Sequence, residues 1–71
     1  MKELYRTNEY IIVQTDRNTY LIVSNILKIP IESKIEAVKK IIEILRDKTE
    51  YIPRISVRNT RYWSLKVNVR I

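Results

Sequence analysis

The sequence predicts an α+β domain of order ββαββ, a mostly antiparallel four-stranded sheet with one helix packed on one face. Three observations carry this expectation. From Trp63 onward, Trp63, Leu65, Val67, Val69 and Ile71 alternate with Ser64, Lys66, Asn68 and Arg70, a period of two that divides a strand into an apolar and a polar, basic row. Two β-branched and aromatic runs, Tyr10–Thr15 and Thr19–Val23, flank the turn-forming triplet Asp16-Arg17-Asn18. Between these regions Ile35, Val38, Ile41, Ile42 and Leu45 recur at helical spacing,.

Taken in order, residues 1–7 are mixed in sign and without period and are expected to fray or to lie at an edge, within a single domain spanning 1–71. The first hairpin is expected to set Val13 against Leu21 and Ile11 against Val23 as an all-aliphatic inner face. Tyr10, Ile12, Tyr20 and Ile22 then fall on the open face, where they form an apolar patch for a partner or a second copy. With no glycine in the chain, Asn18 is the residue expected to supply a left-handed turn conformation.

Ser33-Lys34-Ile35-Glu36 fits a capping box, placing the helix at about Ser33 to Lys48, with Glu36–Lys40 and Lys39–Glu43 as surface pairs. Pro53 disfavours helix at Ile52. A second hairpin follows. Keeping Ile55 and Val57 on the face of Trp63 and Leu65 requires the loop Asn59-Thr60-Arg61, which sets Arg58 beside Tyr62, Ser56 beside Ser64 and Arg54 beside Lys66.

The composition narrows the chemistry. There is no Cys and no His among 71 residues, so neither a disulfide framework nor a zinc-thiolate site is expected, and the commonest general base is missing. The carboxylates are two Asp and six Glu, several already committed to a cap, a turn or helix pairs. A phosphate-cradling loop needs glycine. The expectation is therefore a non-enzyme without cofactor or metal, and, with no signal-like or membrane-spanning run, a soluble cytoplasmic protein. Thirteen Ile, no Gly and a single Met further suggest a hyperthermophilic origin.

Charge supplies the functional expectation. The net charge is +6, and the last twenty-one residues carry Arg54, Arg58, Arg61, Lys66 and Arg70 with no acid. Tyr62 and Asn68 interleave with them. Cations that pair with phosphates, beside a ring and an amide that meet bases, point to DNA or RNA bound on the exposed face of the C-terminal hairpin. The alternative is a protein-interaction module or inhibitor, homodimeric or heteromeric, working through Tyr10, Ile12, Tyr20 and Ile22. The segment Ile29-Pro30-Ile31-Glu32 between two hairpins resembles the AbrB-like swapped-hairpin family over four residues, without that family's turn glycines; the resemblance implies an interlaced dimer on DNA.

Overall fold

The computed structural model describes residues 1–46, 52–59 and 61–70, excluding the side chains of 52–55, 59 and 70. It is an α+β fold with one strand more than expected. The strands β1 (Lys2–Arg6), β2 (Tyr10–Asp16) and β3 (Thr19–Ser24) precede the helix α1 (Ile31–Leu45), and β4 (Ile52–Asn59) and β5 (Trp63–Arg70) follow it. All neighbours are antiparallel, in the order β1-β2-β3-β5-β4. Residues 1–7 therefore contribute an edge strand, which pairs Lys2 with Gln14 and Arg6 with Ile11. The turn into β2 is held by Thr7, whose Oγ1 accepts from the Tyr10 and Glu9 backbone N–H groups at 3.0 and 3.1 Å.

The expected hairpin register is present, with Val13 opposite Leu21 and Ile11 opposite Val23, but the covered face is the other one. Tyr10, Ile12, Tyr20 and Ile22 are all but fully buried with Leu65, Val67 and Val69 beneath α1. They are core and not a partner patch. The reason lies in the β3–β5 pairing, which aligns Tyr20 with Val67 and Ile22 with Leu65, joining these rows into one sheet face. Two tyrosines and two isoleucines also offer the helix more apolar surface than Ile11, Val13, Leu21 and Val23, and the face removing more of it from water is favoured.

The helix begins two residues earlier than expected. Pro30 (φ −61, ψ 151) stands at its N-cap without a side-chain cap bond, its fixed φ and missing N–H suiting a helix start. Ser33 and Glu36 bind the turn into β2 and its first residue instead of each other: the Ser33 hydroxyl donates to Glu9 Oε2 at 2.7 Å, and the Tyr10 hydroxyl donates to Glu36 Oε1 at 2.7 Å. Lys40 lies 4.6 Å from the Tyr5 ring centroid and pairs with Glu43 at 3.8 Å, replacing the expected Glu36–Lys40 pair. These contacts rotate the helix so that Ala37, Ile41 and Leu45 are buried while Ile35 and Ile42 are half exposed. The expected helix end at Lys48 lies outside the described residues.

Candidate functional site

The face away from the helix is built of cross-strand rows. In one, Arg6, Ile11, Val23, Ser64 and Arg58 stand side by side from β1 to β4; in the next, Glu3, Val13, Leu21, Lys66 and Ser56 do so. A third runs through Asp16, Thr19, Asn68 and, by register, Arg54. Because side chains alternate along each strand, this register alone decides who shares the face. The result is an aliphatic strip on β2 and β3, half-buried, bordered on β5 and β4 by hydroxyl, amide and basic groups.

On that border lies a concavity of about 670 Å³, lined by Leu21, Val23, Ser56, Arg58, Tyr62, Ser64, Lys66 and Asn68, with Thr15, Asp16 and Thr19 at the β2–β3 turn. Four of the expected contact residues, Arg58, Tyr62, Lys66 and Asn68, meet here, all exposed. Arg61 is exposed at the hairpin tip, outside the concavity. The side chains of Arg54 and Arg70 lie outside the described residues; by register they stand opposite Asn68 and Ile52. Tyr10 and Tyr20 face the helix, so stacking on their rings is unavailable.

The second hairpin closes one residue later than expected, which offsets its register by two: Asn59 is opposite Trp63, Arg58 opposite Ser64 and Ser56 opposite Lys66. A slip of two keeps every side chain on its face. It does, however, remove the expected juxtaposition of Arg54 with Lys66, spreading the cations along the strands beside neutral partners. Neighbouring phosphates along a nucleic-acid backbone are likewise spread, whereas one compact anion needs its donors gathered.

The β2–β3 turn contributes the one acid on this rim among the described residues. Asp16 Oδ1 accepts from the Asn18 backbone N–H at 2.9 Å, and this bond is the main reason its carboxyl is held below the usual range, with attraction to the Lys66 ammonium a smaller cause,. Thr19 Oγ1 donates to Asn68 Oδ1 at 3.1 Å, fixing the amide on the concavity's floor. At the other edge Arg6 is neutralised by Glu3 at 2.6 Å. On β4, β5 and the turn between them, the cations with described side chains are Arg58, Arg61 and Lys66, with no acid among them.

The aliphatic strip and the lining residues Thr15 and Thr19 were not legible as part of the site, because their membership depends on the β3–β5 register, which pairs residues far apart in sequence. Among the described residues no group of three or more Asp or Glu is placed to hold a metal ion, and no described helix is long and apolar enough to cross a membrane. Comparison with family models, curated proteins and solved structures returned no match to this chain.

Proposed function

We propose that the chain is a nucleic-acid-binding protein, not a catalyst, and that its β4–β5 side of the open sheet face seats a phosphate backbone. The observation that supports this reading is the concavity gathering Arg58, Lys66, Tyr62 and Asn68 on one face. In it Arg58 and Lys66 pair with phosphates, Arg61 makes an outer contact, and Tyr62 lies against a base or sugar. Asn68 supplies the polar group that meets a base edge. With Tyr62 the one tyrosine lining the concavity, affinity rests on charge more than on stacking, and selectivity among sequences is weak.

The test is a fluorescence titration of single-stranded and duplex DNA and RNA at two salt concentrations. The parent binds more weakly as salt rises, and the Arg58→Ala, Lys66→Ala double variant lowers the magnitude of the log K against log salt slope by about 1.8 on duplex DNA. Binding of none of these by the parent at low salt, or equal binding by the variant, refutes the proposal. The half-buried aliphatic strip of Ile11, Val13, Leu21 and Val23 favours a protein partner in that case, and such a contact is nearly indifferent to salt.

A further inference from the structure

The helix carries an apolar stripe that the sheet does not cover. Ile31, Ile35 and Ile42 are 61%, 50% and 55% exposed, and with half-buried Val38 they are spaced by four, three and four residues. Steps of four, three and four are those between successive a and d positions of a heptad, the seam along which a helix closes on another helix. The seam lies beside the buried row Ala37, Ile41 and Leu45, toward the side where Lys34 reaches over Trp63 at 5.6 Å from the ring centroid. Its other flank is polar, with Glu32 and Lys39 seven residues apart on one line, both exposed and neither in an ion pair among the described residues.

We propose that this seam is the interface of a homodimer in which the helices of two copies pack antiparallel about a two-fold axis near residues 36 and 37. Self-complementarity selects a second copy as the occupant. With the axis there, Ile31 faces Ile42 of the second copy and Ile35 faces its Val38, so large apolar side chains meet along about three turns, roughly 16 Å. The same alignment brings Glu32 within one turn of Lys39 of the second copy, and the symmetry makes that contact twice. A parallel pairing instead crosses the flanks and brings Lys34 beside Lys39 of the second copy, which like-charge repulsion disfavours. Both open sheet faces remain uncovered, because each lies on the opposite side of its sheet from the helix.

Sedimentation of the isolated protein over a concentration series, without nucleic acid, tests the interface. The parent shifts toward twice its 8.6 kDa mass as concentration rises, in low and in high salt. Ile35→Glu combined with Ile42→Glu abolishes the shift, circular dichroism reporting whether the fold is kept. Glu32→Lys alone and Lys39→Glu alone each weaken dimerisation by roughly tenfold, and the two together restore it to within about threefold of the parent. A parent that stays monomeric at the highest concentration overturns the proposal. So does a folded double-glutamate variant that still dimerises, or a charge exchange that fails to restore what the single reversals lose.

Discussion

Two adjacent residues of β2 decide which face of the sheet is the core. Ile12 is 0% exposed, standing between Tyr5 and Ile22 under the helix, whereas Val13 lies on the open face between Glu3 and Leu21. Ile12→Lys removes a buried side chain, worth about 2 to 5 kcal/mol by truncation alone, and forces an ammonium group out of water at a cost of several kcal/mol more. A chain of this length has a total stability of roughly 4 to 11 kcal/mol, so the variant is unfolded or nearly so. Val13→Lys loses only part of a half-exposed side chain and gains a cross-strand neighbour in Glu3, for a net cost below about 1.5 kcal/mol. Circular dichroism with urea titration at low protein concentration reads both. If Ile12→Lys unfolds at the parent's urea midpoint while Val13→Lys collapses, the helix covers the opposite face and the site described above is interior.

Tyr10→Phe removes the hydroxyl that donates to Glu36 and costs about 1 kcal/mol at neutral pH, because the exposed Glu36 carboxylate regains water. Burial first, and the Glu36 carboxylate second, raise the Tyr10 pKa, so the neutral phenol favours the folded chain. Its contribution is fully present below the unfolded tyrosine value of about 10 and lost as pH rises through the folded value; urea midpoints measured upward from about pH 9 fall more steeply for the parent than for Tyr10→Phe. Asp16 behaves in the opposite sense. Its depressed pKa lends stability that is present above the unfolded value of about 4 and lost as pH falls through the folded one, so Asp16→Asn flattens the acid limb of the stability profile. Carbon-13 titration of the Asp16 carboxyl with the midpoint at or above the unfolded value contradicts the turn geometry.

Much of the secondary structure was legible in short-range pattern. The alternation from Trp63 onward located β5 and its buried row Leu65, Val67 and Val69; the run of Ile and Val from Ile35 located the helix; and the open-face positions of Arg58, Lys66 and Asn68 followed from parity. What failed required long-range information. Both faces of the β2–β3 hairpin are apolar, so the alternation could not say which one the helix covers until Ile22 was paired with Leu65, forty-three residues away. Ser33 and Glu36 carry the letters of a capping box, but Glu9 and Tyr10, at the distant start of β2, compete for the same hydroxyl and carboxylate and win. β1 was expected only as a frayed or edge segment, because a bulge between Glu3 and Tyr5 breaks the period that would announce a strand.

The absence of glycine also shapes the site. No described residue has a positive φ, so Asn18 does not take the left-handed conformation expected of it, which short hairpins favour. The chain instead shifts its register between Gln14 and Asp16 and closes the turn with the Asp16 carboxylate on the Asn18 N–H. This local solution plants a carboxylate at the end of the open face occupied by Thr19 and Asn68. The opposite end, where Ser64 and Arg58 face each other near Tyr62, holds no acid among the described lining residues. The acid thus stands at one end of the face, in the row that by register also holds Arg54, and Arg58 stands at the other. A polyanion at the Thr19 end lies beside Asp16, whereas one crossing the strands at the Arg58 end meets no acid among the described lining residues. The proposed nucleic acid therefore crosses β5 and β4 near their connecting turn, and the residue whose loss weakens it most is Arg58.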